Sequence, residues 1–194
     1  MKKTVEERTF HIQEYGITVE LKPQDLLVLL KRTAHPALPW TYASLGAALG
    51  LSASQVHRSV KRVVASGLAV SNGRGDWQVK REALLEFAVH GVRYAFPAKL
   101  GAMRRGVPTS FGALPLSNHI SASPEEAPVW PHPEGSARGP SVEPLYRYVP
   151  QAVLADSVLH EFLALLDALR TGRSRERALA QQLLAERLGE SRED

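Results

Sequence analysis

Cysteine is absent from the 194 residues. Its absence removes disulfides, thiolate nucleophiles and cysteine-ligated zinc, and fits a reducing compartment. Long apolar runs are missing too. None approaches the ~20 residues of a membrane-spanning helix, and the opening "MKKTVEERTFHIQEYG" lacks the apolar core of a secretory signal. A cytoplasmic protein without a membrane partner is expected. The seven histidines, at positions 11, 35, 57, 90, 119, 132 and 160, are scattered. No His-Glu-x-x-His helix, Gly-x-Ser-x-Gly elbow or Gly-Lys-Ser/Thr phosphate loop occurs. The expectation is a chain with no metal, no cofactor and no enzymatic activity.

Acidic side chains are scarce in one region. Residues 51–105 carry ten basic and three acidic groups, a net +7, against +1 for residues 1–50 and −4 for residues 106–194. A basic segment inside a chain of net charge +4 is what a polyanion-binding face requires. The apolar share, 44%, is enough to build a core.

Alternation of Phe10, Ile12, Ile17, Val19 and Leu21 predicts a hairpin or two short strands over residues 9–21. "PQDLLVLLKRTA" predicts a helix with Pro23 in its first turn, broken by Pro36 and Pro39. Thr41 caps a short helix that Gly50 ends, with Leu45 and Leu49 inward. Ser52 caps the next helix, which buries Val56, Val60, Val63 and Val64 and is closed by Gly67. The Asn72-Gly73-Arg74-Gly75 turn between Val70 and Trp77 is a hairpin signal. A further helix is expected from Arg81 to Tyr94. Nine of the thirteen prolines fall within 106–150, which predicts an extended arm lying on a protein surface, held by Trp130, Tyr146 and Tyr148. Two helices follow, with one apolar stripe at Leu159, Phe162, Leu163, Leu166 and Leu169 and another at Leu179, Leu183, Leu184 and Leu188. The expected fold class is therefore mainly α with a small β element (α+β). Three segments are drawn: 1–95, the proline-rich arm at 96–150, and a carboxy-terminal helical hairpin at 151–194 that serves dimerisation or partner contact.

Helix, short helix, capped helix and Asn-Gly hairpin is the order of a winged helix-turn-helix. In that motif the second helix of the pair enters the major groove and reads base edges near its amino end. The candidate DNA-binding residues are Ser52, Ser54, Gln55, His57, Arg58, Lys61, Arg62 and Arg74. Gln55 has the groups to pair with adenine and Arg58 with guanine, while Lys61 and Arg62 are placed for phosphates. Arg74 sits where a wing tip meets a minor groove or backbone. His57 is equally suited to packing on the preceding helix, and Trp77 to packing beneath the wing. Arg104 and Arg105 either extend the basic face or are ordinary surface charges.

The stretch "YASLGAALGLSASQVHRSVKRVVASGLAV", with "SNGRGDWQV" behind it, resembles MarR-type bacterial transcriptional regulators over residues 24–80. The matching points are the turn at Leu49–Ser52, "QVHRSVKR", and "SGL" leading into the wing. The resemblance implies a homodimer that binds a specific double-stranded DNA site, usually as a repressor of its own or a neighbouring operon. The family's long flanking dimerisation helices are replaced here by the proline-rich stretch and two carboxy-terminal helices. Residues 90–150, with "YAFPAKLGAMRRGVPTS" and "VEPLYRYVP", are similar to poorly characterised bacterial regulators, some of them near toxin–antitoxin-like genes. The alternative function is a protein-interaction module, an antitoxin or scaffold that holds a partner protein through its carboxy-terminal half.

Overall fold

The computed structural model describes residues 20–73, 75–121, 123 and 125–189, so most of the 9–21 segment lies outside the described residues. Among the described residues the architecture is mixed, mainly helical with two small sheets. Helix α1 (Pro23–Ala34) begins on a proline that needs no N–H partner at that position, and the Asp25 carboxylate accepts the Lys22 N–H at 2.8 Å. Its run Leu26–Leu30 is buried on every side.

Two capped helices follow. Thr41 Oγ1 accepts the Ser44 N–H while Ser44 Oγ accepts the Thr41 N–H, each at 3.0 Å, and this reciprocal box starts α2 (Tyr42–Leu49). Gly50 ends α2 at φ +67°, a conformation that favours glycine. Ser52 and Gln55 repeat the box at the start of α3 (Ala53–Ala65). Strands β1 (Ala69–Gly73) and β2 (Asp76–Val79) form an antiparallel hairpin in which Ser71 faces Trp77. Trp77 is buried beneath this hairpin, as expected. The helix expected from Arg81 to Tyr94 is α4 (Arg81–Glu86) and α5 (Val92–Ala95), joined through a wider π turn at Phe87–Gly91.

The proline-rich stretch is not an arm laid over a surface; that expectation is corrected. It supplies β3 (Leu100–Pro108), β4 (Val129–Pro131) and β5 (Ala137–Val142), which close a three-stranded barrel. β3 runs antiparallel to both others, and β4 meets β5 in parallel at Val129 and Ser141. Glycine allows so small a closure. A Cβ at Gly106 would run into the Trp130 carbonyl oxygen, and one at Gly139 into that of Ala127. Pro108 and Pro131 terminate their strands, where a missing N–H costs little.

Helix α6 (Val149–Val153) is short, and Asp156 then starts α7 (Ser157–Thr171) by accepting the Leu159 N–H at 2.9 Å. α7 is the central rod. Leu159, Leu163, Leu165, Leu166 and Ala168 are all buried, with α1 on one side and α8 (Ser174–Gly189) on another. Leu183, Leu184 and Leu188 of α8 are buried as well. The leucine stripes offered to a second subunit are thus consumed within the chain. Each buried leucine contributes ~1.5–3 kcal/mol of burial that a subunit contact would otherwise supply.

Two polar junctions fasten α7 and its amino-terminal cap to their surroundings, the first to α1 and the second to the barrel. Asp156 receives His35 Nε2 at 2.9 Å and the Lys31 ammonium, both from the end of α1. Asp167 of α7 takes the Trp130 indole N–H at 2.6 Å, the Thr109 hydroxyl at 3.0 Å and Arg170 Nη1 at 2.6 Å. Burial pushes the Asp167 carboxyl above its ordinary range, against the pull of Arg170 and the two neutral donors. One continuous core runs from Leu26 to Leu188. The boundaries near residues 95 and 150 therefore mark changes of sequence character rather than separate cores.

Candidate nucleic-acid interface

An α-helix turns ~100° per residue, and that rotation sorts α3 into four sides. Val56, Ser59, Val60 and Val63 face the core. Opposite them lie Ser54, Arg58, Lys61 and Ala65, all exposed. Gln55 and Arg62 fall on one flank, towards α1, and His57 and Val64 on the other, towards α2. Each flank is used internally.

On the α1 flank, Arg62 is held by Asp25. Nε donates to Oδ2 at 2.7 Å and Nη2 to Oδ1 at 2.5 Å. Asp25 is fully buried, and the Arg62 side chain is 21% exposed. This hydrogen bond raises the Arg62 pKa further despite partial burial. Arg62, expected at a phosphate, uses one edge of its guanidinium to clamp α3 to the first turn of α1. Gln55, expected at adenine, also serves the cap: its Oε1 accepts the Ser52 N–H at 2.8 Å, which uses one lone pair of the amide oxygen and leaves the other and the NH2 group. On the other flank the His57 ring lies 5.3 Å from Tyr42, tilted at 42°, while remaining exposed.

The outward stripe is open. Among the described residues neither Arg58 nor Lys61 takes part in an ion pair. Ser54 Oγ lies 3.0 Å from Ser52 Oγ at the exposed amino end of the helix. Arg74 lies outside the described residues; the flanking Gly73 and Gly75 have φ of +78° and +85°.

No family model, curated protein or solved structure matches the chain. The geometry alone remains to say what α3 meets.

It also brings in residues from the carboxy-terminal half. Tyr148 packs its ring over Gly50 in the α2–α3 turn, where a Cβ would lie 3.0 Å from Tyr148 Cδ2. The Arg147 guanidinium stacks on that ring at 4.6 Å and is exposed, with no ion pair among the described residues. Arg147 therefore stands two stacked groups away from the turn that leads into Ser52. Sequence reasoning missed it. The Tyr-Arg-Tyr run is visible at 146–148, but nothing local ties it to a turn almost a hundred residues earlier. No group of three or more His, Cys, Asp or Glu side chains suited to a metal occurs among the described residues, and no described helix is long and apolar enough to cross a membrane.

Proposed function

We propose that the chain is a sequence-specific, double-stranded DNA-binding transcriptional regulator of the winged helix-turn-helix type. α2 and α3 form the helix-turn-helix and the β1–β2 hairpin is the wing. The observation that carries the proposal is the stripe Ser54, Arg58 and Lys61. These are short or cationic groups on the outward side of a rigid helix, exposed, without anionic partners among the described residues, and supported from beneath by three buried valines. A major groove admits such a helix, with its amino-terminal side chains at base edges and later cations at phosphates.

In this reading Ser54 and Arg58 meet bases, Lys61 and Arg147 meet phosphates, and Arg62 keeps α3 at its angle. The regulator acts as a homodimer that represses its own or a neighbouring operon. Two copies of α3 then lie ~34–36 Å apart over a palindromic site. The subunit contact uses surface other than the leucine stripes, which are occupied. A mobility-shift titration with the DNA upstream of the chain's own gene tests this, with random duplex as competitor and at several salt concentrations. A shift surviving excess competitor is expected, with specific affinity on the order of 10⁻⁸–10⁻¹¹ M. Equal affinity for both duplexes would remove the claim of specificity.

A further inference from the structure

The amino-terminal half of β3 is exposed on both faces. All six residues from Leu100 to Arg105 are open to solvent, although they lie within a strand. From Leu100 to Arg104 they pair only with β5, while the Arg105 carbonyl also accepts the His132 N–H at 3.3 Å just past β4. The outer edge of β3 is therefore unpaired from Leu100 to Arg104 among the described residues, in a β3–β5 ribbon whose second strand is itself held by β4 at Val129 and Ser141. Its charge is of one sign. Arg105 stands directly opposite Arg138, and Arg104 opposite Gly139. Like charges facing each other across a strand pair destabilise it, so the Arg105–Arg138 pairing itself adds nothing to the sheet. Arg105 Nε donates to the Gly135 carbonyl at 2.8 Å, and Arg104 and Arg138 are exposed. The acids nearest in sequence, Glu134 and Glu143, precede β5 and follow its end, and neither pairs with the three arginines.

Side chains alternate across a strand, so Arg105 and Arg138 share one face of the ribbon and Arg104 lies on the other. An exposed edge strand laid along duplex DNA meets phosphates on either side, and cations on both of its faces answer that geometry. We infer that the β3–β5 ribbon is a second, sequence-independent contact to duplex DNA, with Arg104, Arg105 and Arg138 neutralising phosphates. The inference rests on the DNA-binding reading of α3 and assigns it a separate affinity element.

The test measures binding of a random-sequence duplex and of the upstream duplex by fluorescence anisotropy between 50 and 200 mM KCl. The proteins are the full chain, Arg104→Ala/Arg105→Ala/Arg138→Ala, the corresponding triple lysine variant, and Arg58→Ala/Lys61→Ala. Each phosphate contact contributes ~0.9 to the slope of log K against log salt. The triple alanine variant should therefore lose a slope of ~2.7, making its affinity roughly 40-fold less sensitive to that fourfold change in salt. The lysine variant should retain the slope, and the α3 variant should lose preference for the upstream duplex while keeping the ribbon's share. An unchanged slope in an alanine variant of normal thermal stability overturns the inference, as does a lysine variant that fails as the alanine one does. A change of sedimentation coefficient with DNA binding intact would assign the free edge to a second copy of the chain. Tighter binding of polyglutamate than of duplex would assign the ribbon to an acidic protein. Either result also overturns the inference. Loss of upstream preference in the parent protein, with the ribbon slope present, would instead defeat the reading of α3.

Discussion

Arg62→Ala separates a structural cation from a DNA-contacting one on the same helix. Asp25 is fully buried and accepts three N–H groups, one from Lys22 and two from Arg62. The substitution removes two of the three donors and the only opposite charge the carboxylate meets among the described residues. Breaking a buried pair from one side costs ~3–5 kcal/mol, because the remaining charge is left without compensation. For a chain of this size 1 kcal/mol corresponds to ~2–4 °C, so the melting temperature should fall by roughly 6–20 °C. Arg62→Lys keeps the charge and loses the fork, and should fall between the two. Asp25→Leu/Arg62→Met removes both charges and should recover most of the loss. Urea unfolding followed by circular dichroism supplies the free energies. DNA titration well below the transition supplies the salt slope, which should match the parent's. A variant within ~1 kcal/mol of the parent whose slope has dropped by ~0.9 would make Arg62 a phosphate contact after all and refute the reasoning.

Three further outcomes follow from the same geometry. Arg58→Ala should weaken binding to the cognate site by ~1–3 kcal/mol and relax preference at one base pair, whereas Lys61→Ala should weaken all duplexes alike; anisotropy against single-base variants of the site distinguishes them. Arg147→Ala should lower the salt slope by ~0.9 without altering base preference, and an unchanged slope would confine Arg147 to packing on Tyr148. Burial opposes ionisation of Asp156, but the Leu159 N–H, Lys31 and His35 outweigh it and hold its pKa below the ordinary carboxylate value. Stability from this group is therefore present above the unfolded-state value near ~3.9 and is lost as pH falls through the lower folded value. Asp156→Asn should be less stable than the parent at pH 7, with the gap closing below about pH 4. A gap independent of pH in urea titrations would show that the carboxylate's charge contributes nothing.

Much of the amino-terminal half is legible in the sequence, because its signals are local. Thr41 and Ser44, like Ser52 and Gln55, are three residues apart and meet within a single turn. Gly50 adopts a left-handed conformation that its own lack of a Cβ permits. The valines of α3 recur at helical spacing, so the outward position of Ser54, Arg58 and Lys61 follows from theirs. The flanks of the helix are not legible in this way. Gln55 reads the same in a sequence whether or not it caps its own helix, and Arg62 becomes structural only because Asp25 is buried 37 residues earlier.

Chain composition alone determined the absence of thiol chemistry, the concentration of positive charge in the second quarter and the helical identity of the leucine-rich end. Tertiary structure decided the rest. It folded the proline-rich stretch into a barrel through glycine contacts between strands, made α7 a core helix instead of a subunit contact, and placed Arg147 beside a turn from the other end of the chain. The physical reason is range. Caps, turns and periodic burial act over three or four residues, whereas the pairing of a charge and the closure of a barrel depend on partners that only the folded chain brings together.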